Sequence, residues 1–99
     1  MVTVAREVAT DFPLGGVRGV KGELNGQEIV ITRPFKTFGQ IGGHLAMISR
    51  RPMGYYVTHV EGKTPTRLNG RPIASDPCLL KENDAIEVAN QKLVFFLKS

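Results

Sequence analysis

The chain has 99 residues, which leaves room for a single domain, because domains run from roughly 50 to 250 residues. Hydrophobic residues make up 41% and charged residues 22%, so we predict a folded core, while 11 glycines and 6 prolines exclude a bundle of long helices. The formal net charge of +4, from 13 basic and 9 acidic residues, permits an anionic partner but is far from a polybasic tail.

Short runs of β-branched and aromatic residues follow one another from Val17 onward, with turn signals every 8–12 residues or so. This spacing predicts an all-β sandwich or barrel. In the last pair of runs, Ile86 and Val88 alternate with Ala85 and Glu87, which indicates one buried and one solvated face. The predicted strands, in chain order, are 17–21, 28–32, 36–39, 44–49, 55–60, 66–68, 71–73, 85–88 and 92–97.

Turn residues define the connections between these strands. Asn25-Gly26 and Asn69-Gly70 are expected to supply the positive φ angles of tight hairpin turns. Residues 50–54 are expected to form a further turn, since they contain a proline followed two positions later by a glycine. The first sixteen residues lack this regularity. We therefore predict an N-terminal extension or linker over residues 1–16 and one β-sandwich domain over residues 17–98.

The cysteine content and the apolar runs bear on the cellular compartment. The single cysteine, Cys78, excludes an intramolecular disulfide and a cysteine-based zinc site, and it suits a reducing compartment. Apolar runs such as residues 94–97 are far shorter than the ~20 residues of a membrane-spanning helix, and the N-terminus lacks a signal-peptide pattern. We therefore expect a cytoplasmic protein with no membrane span within the chain.

Several motifs occur in the order, and mostly at the spacing, of a known family. They are Gly22-x-x-x-Gly26-x-x-Ile29-x-Ile31, Phe38-Gly39-Gln40, His44-Leu45-Ala46-x-Ile48, Tyr55-Tyr56-Val57, Gly62-Lys63-Thr64-Pro65-Thr66-Arg67-Leu68-Asn69-Gly70 and Leu80-x-x-x-Asp84-x-Ile86-x-Val88. Together they resemble a forkhead-associated (FHA) domain over about residues 17–98. This resemblance implies an eleven-stranded FHA-like (SMAD/FHA) β-sandwich of two antiparallel sheets, whose loops at one end bind a phosphothreonine peptide.

At the positions where the family holds its ligand, this sequence departs from the family pattern. Gln40 replaces the arginine that would grip the phosphate. Gly42-Gly43 runs directly into His44, where the family has a long loop, a short strand and a phosphate-binding serine. Thr64-Pro65 replaces the first Asn-Gly pair, and only the second, structural pair at Asn69-Gly70 is intact. The resemblance therefore implies a retained scaffold with a degenerate phosphothreonine site.

The basic residues are concentrated in the middle of the chain. Residues 30–73 carry seven basic residues and one acidic residue, a net charge of +6, whereas the remainder carries −2. These cations are either solvated surface residues or a site for an acidic or phosphorylated partner. Ser49-Arg50-Arg51 resembles a displaced Ser-Arg signature, but Pro52 to Gly54 leaves no room for the strand that should follow. Nucleic acid is disfavoured, because Tyr55 and Tyr56 are adjacent and one of them must point inward.

No set of residues predicts catalysis, a metal or a cofactor. His44 and His59 have no third ligand at metal-like spacing, so we interpret both as structural. Cys78 has no identifiable partner base, and we expect a half-buried, inert thiol. Residues 39–43 lack the strand, lysine and helix of a phosphate-binding P-loop. We expect no enzyme activity and no cofactor.

We therefore predict a non-catalytic protein-interaction or scaffolding module of FHA type that belongs to a larger protein. One alternative is a true reader of phosphopeptides or acidic ligands that uses Arg50, Arg51 and Lys63, and another is an assembly or regulatory domain that pairs through a sheet edge. The expected partner is a protein or peptide, with phosphorylated and acidic segments both open. The candidate partner-binding residues are Gln40, Arg50, Arg51, Lys63, Thr64 and Thr66.

Overall fold

The computed structural model describes residues 14–98, and this part of the chain consists of β-strands and their connections. No helix within it is long and apolar enough to cross a membrane. The strands are β1 (Gly15–Lys21), β2 (Glu28–Ile31), β3 (Phe35–Gly39), β4 (Leu45–Arg51), β5 (Gly54–Glu61), β6 (Arg67–Leu68), β7 (Arg71–Pro72), β8 (Cys78–Leu79), β9 (Ala85–Val88) and β10 (Gln91–Leu97).

The strands form two antiparallel sheets. One has six strands in the order β2-β1-β10-β9-β6-β7, and the other has four in the order β3-β4-β5-β8. This arrangement confirms the predicted all-β sandwich. The resemblance implied eleven strands, whereas residues 14–98 contain ten. Residues 40–44 between β3 and β4 leave no room for a further strand, so β3 lies at the edge of its sheet.

The core lies between the two sheets and follows from the alternation along each strand. Tyr55 points inward and Tyr56 outward, as expected for neighbouring strand residues. The Tyr55 ring packs 5.3 Å from that of Phe95, and its hydroxyl accepts the Gly15 N–H at 2.9 Å and donates to the Ile31 carbonyl at 3.3 Å. The buried core residues include Val17, Ile31, Phe38, Ala46, Ile48, Tyr55, Val57, Leu80, Ile86, Val88, Leu93 and Phe95.

The first strand begins at Gly15, two residues before the boundary expected at residue 17. Glycine has low β-propensity, which is why the sequence pattern did not include Gly15 and Gly16. The packing leaves no space for a side chain at either position. A Cβ atom at Gly15 would lie 2.8 Å from the Phe95 ring, and one at Gly16 would collide with the carbonyl oxygen of Ile29. Residues 1–13 of the expected extension lie outside the described residues.

The turns agree with the sequence prediction in part. Asn69 and Gly70 have φ angles of 53° and 83°, which confirms the predicted type I′-like turn between β6 and β7. In the first hairpin Gly22 and Gly26 have positive φ angles of 94° and 85° but Asn25 does not, so the prediction for Asn25 is wrong. The expected turn over residues 50–54 is also shorter than predicted, because β4 continues through Arg51 and β5 begins at Gly54.

Candidate functional site

The end of the sandwich that carries residues 40–44 and 62–66 is called the loop end here. The β3–β4 turn is closed by its own backbone: the Gln40 N–H donates to the His44 carbonyl at 2.8 Å, and the Gly43 N–H donates to the Gln40 carbonyl at 3.0 Å. Gly42 adopts a φ of 85°, which favours glycine. The side chain of Gln40 is exposed and carries no charge.

The backbone of this turn donates a hydrogen bond to a side-chain carboxylate. Glu61 Oε1 accepts the Gly42 N–H at 3.1 Å and so links the end of β5 to the β3–β4 turn. The neighbouring Gly62 packs against the same turn, since a Cβ atom there would lie 2.9 Å from the Gly43 carbonyl oxygen. The loop end therefore holds a negative charge against the backbone of the β3–β4 turn.

The β5–β6 loop is held by His59. The Thr66 N–H donates to His59 Nδ1 at 3.1 Å, so Nδ1 carries no proton, and the Nε2–H donates to the Gly62 carbonyl at 2.9 Å. The Thr66 hydroxyl lies 2.9 Å from the same Nδ1. His59 thus has a structural role, as expected. Within residues 14–98 no group of three His, Cys, Asp or Glu side chains is placed to hold a metal ion.

Thr66 was expected among the partner-binding residues, and the structure corrects this. It is only 1% exposed, and its hydroxyl faces His59 rather than solvent. The exposed positions of this loop are Lys63 and Thr64. Sequence reasoning could not separate Thr64 from Thr66, because both flank Pro65 in an irregular segment without a strand period.

Arg50 and Arg51 lie at the opposite end of the sandwich, called the far end here. The register pairs Leu45 with Glu61 at the loop end and Arg51 with Gly54 at the far end. The seven residues of β4 span about 20 Å at ~3.3 Å per residue, so Arg50 and Arg51 cannot share one phosphate with Lys63. The alternative reader could therefore not use these three cations together on a single phosphate group.

The two arginines have local partners at the far end. Arg50 Nη1 donates to the Thr32 carbonyl at 3.4 Å, and its backbone N–H donates to the Pro34 carbonyl at 2.7 Å. The Arg51 guanidinium lies 5.1 Å from the centre of the Tyr56 ring, a cation–π geometry. The three cations of the alternative reader are therefore divided between the two ends of the sandwich.

A cleft of ≈ 270 Å³ opens at the loop end beside the two loops. Its walls include Thr64 and Pro65 of the β5–β6 loop and the turn Ala89-Asn90, whose φ angles are 52° and 62°. Lys21 and Lys92 also line it, and they face each other across β1 and β10. Sequence reasoning missed this pair, because the two lysines are 71 positions apart and only the strand register brings them together.

The remaining features singled out in the sequence are Cys78 and the Asn69-Gly70 pair. Cys78 is half-buried, as predicted, and its thiol lies 3.7 Å from the Asp76 carbonyl oxygen. Asn69 Nδ2 donates to Asp84 Oδ1 at 2.9 Å, and the Ala85 N–H donates to Asn69 Oδ1 at 2.8 Å. The intact Asn-Gly pair therefore joins the β6–β7 turn to the start of β9 and takes no part in the loop end.

Comparison with known proteins supports the fold. No family model and no curated protein matches the sequence. Among solved structures, the chain is similar to the FHA domain of a hypothetical protein of Arabidopsis thaliana, solved in solution, with a TM-score of 0.73 and 16% sequence identity. The match covers 89% of this chain and 88% of that one. The FHA-like β-sandwich implied by the sequence motifs is thus confirmed as the fold of this chain.

Proposed function

We propose that this FHA-fold domain is a non-catalytic protein-interaction module that does not depend on phosphothreonine. The observation that carries the proposal is the Glu61 carboxylate hydrogen-bonded to the Gly42 N–H at the loop end. A cytoplasmic protein or peptide is the proposed partner, in keeping with the single free thiol of Cys78.

The energetics of phosphate binding disfavour this loop end. Hydrogen bonds to charged groups contribute about 1.5–3 kcal/mol each and neutral ones about 1, so Gln40 replaces the strongest contact with a weaker one. A carboxylate ~4 Å from a phosphate charge adds a repulsion of about 1 kcal/mol in water, and about 4 where the effective dielectric constant is ~20. Glu61 therefore adds an electrostatic penalty to the loss of the arginine.

The test compares phosphothreonine peptides with their unphosphorylated counterparts by fluorescence anisotropy. We expect phosphorylation to give no gain in affinity. Replacing Gln40 by Arg and Glu61 by Gln together should add phosphate-dependent binding, because the pair restores a guanidinium and removes the competing carboxylate. Low-micromolar, phosphate-dependent binding by the unaltered chain, abolished by Gln40→Ala or Thr64→Ala, would overturn the proposal.

A second candidate, assembly through a sheet edge, is favoured by the exposure of β3. Phe35 at its start is 57% exposed, and a cleft of ≈ 470 Å³ lies between this edge and β2 of the other sheet. An open edge of this kind offers unpaired backbone groups to another strand. Sedimentation equilibrium should then show a dimer that Phe35→Lys disrupts, whereas Leu79→Lys on the opposite edge strand does not. A monomer at every concentration would refute edge pairing.

A further inference from the structure

A row of four charged side chains crosses the six-stranded sheet at the loop end. Lys21 is opposite Lys92, Lys92 is opposite Glu87, and Glu87 is opposite Arg67. Directly opposite residues of a regular ladder project from the same face of a sheet, with Cβ atoms about 4.5–5.5 Å apart. The register of β1 against β10 shifts between Gly19 and Lys21, and Lys21 pairs with Lys92 after that irregularity. All four side chains line the ≈ 270 Å³ cleft, so two lysines stand next to each other at one side of it.

The lysine pair is unfavourable in the free protein. Among residues 14–98 the one ion pair is Arg18–Glu28, so neither Lys21 nor Lys92 has a carboxylate within 4 Å. Like charges directly opposite each other destabilise a sheet. Glu87 is placed between Lys92 and Arg67 and cannot neutralise the row, which keeps two positive charges in excess. An anion bound between the lysines would remove their repulsion.

We propose that this cleft binds an acidic segment of a protein partner. Carboxylates of the segment would lie between Lys21 and Lys92. The site is separate from the β3–β4 turn, where Glu61 already occupies the Gly42 N–H. The proposal rests on the proposed function, since it names the partner chemistry of a phosphate-independent interaction module.

The experiment titrates the chain with a fluorescein-labelled, Glu-rich peptide at low and at physiological salt. We expect binding that weakens with salt, and a loss of affinity of about tenfold or more in Lys21→Gln and in Lys92→Gln. Arg51→Gln is the charge-matched control, because it removes one cation at the far end, and it should leave the affinity unchanged. Urea unfolding of the lysine variants should show stability equal to or above that of the unaltered chain.

Three outcomes would overturn the proposal. They are no binding of the Glu-rich peptide, an equal loss of affinity in Arg51→Gln, and lysine-dependent binding of a single-stranded oligonucleotide or inorganic phosphate without binding of the peptide. Each of them leaves the comparison of phosphorylated with unphosphorylated threonine peptides, and the Gln40 variants, unaffected, so failure of the acidic-peptide site is distinguishable from failure of the proposed function.

Discussion

Replacing Tyr55 by Phe tests how the sandwich is closed at the far end. The Tyr55 hydroxyl is buried and joins three strands, because it accepts from Gly15 of β1 and donates to Ile31 of β2 while the ring sits on β5. Phenylalanine keeps the ring contact with Phe95 and removes only the oxygen. The variant therefore isolates the two hydrogen bonds from the packing of the aromatic ring.

The expected cost follows from those two bonds. Each contributes about 1 kcal/mol net, and a buried N–H without a partner costs about 1–3 kcal/mol, so we expect Tyr55→Phe to lower the free energy of unfolding by about 2 kcal/mol. For a domain of this size 1 kcal/mol corresponds to about 4–8 °C in Tm, so the melting temperature should fall by roughly 8–16 °C.

Tyr56→Phe is the matched control for this measurement. Tyr56 points outward and its ring lies beneath the Arg51 guanidinium, and phenylalanine keeps that aromatic ring. The free energy of unfolding of the Tyr56→Phe variant should therefore change by less than about 0.5 kcal/mol. Urea unfolding followed by circular dichroism gives both values. If Tyr55→Phe were as mild as Tyr56→Phe, the hydroxyl would not hold β1 and β2 to the core, and the reasoning would be wrong.

Two further substitutions test the β6–β7 turn and the β5–β6 loop. Asn69→Ala should lower the free energy of unfolding by about 2–3 kcal/mol, because alanine disfavours a φ of 53° and both side-chain hydrogen bonds are lost. Asn69→Gly also loses these hydrogen bonds but tolerates the backbone angle, so it should lower the stability by less. Equal midpoints of urea unfolding for the two variants would contradict the role of the backbone angle. Thr66→Val should lower the free energy of unfolding by about 1 kcal/mol and speed amide exchange over residues 62–66, because it removes the hydroxyl that contacts His59 Nδ1. Thr64→Val, at an exposed site in the same loop, should change neither the stability nor the exchange. Slow exchange in Thr66→Val would show that His59 holds the loop through its backbone partners alone.

Much of the fold was predictable because its signals are local. The alternation in residues 85–88 indicates a strand with one buried face, and the structure buries Ile86 and Val88. Asn69-Gly70 predicts a turn because asparagine and glycine tolerate positive φ more readily than other residues. The prediction failed at Gly15, where the structure needs the absence of a side chain, and a single glycine does not reveal what packs against it.

The candidate site was predictable only in part. The sequence shows that Gln40 carries no charge where the resemblance implies an arginine, and the structure places this residue exposed at the loop end. The carboxylate of Glu61 on the Gly42 N–H could not be read from the chain, because 19 positions separate the two residues. The burial of Thr66 likewise depends on His59, which lies on another strand.

The order of strands and turns in this protein follows from neighbouring residues, because side-chain alternation and turn chemistry act over two to four positions. The distribution of charge follows from pairing between distant strands. The β4–β5 hairpin carries Arg50 and Arg51 about 20 Å from the loop end, although they are only twelve or thirteen positions from Lys63. The pairing of β1 with β10 brings Lys21 beside Lys92 across 71 positions. Local sequence therefore specifies the scaffold, and strand register specifies which of its charges meet.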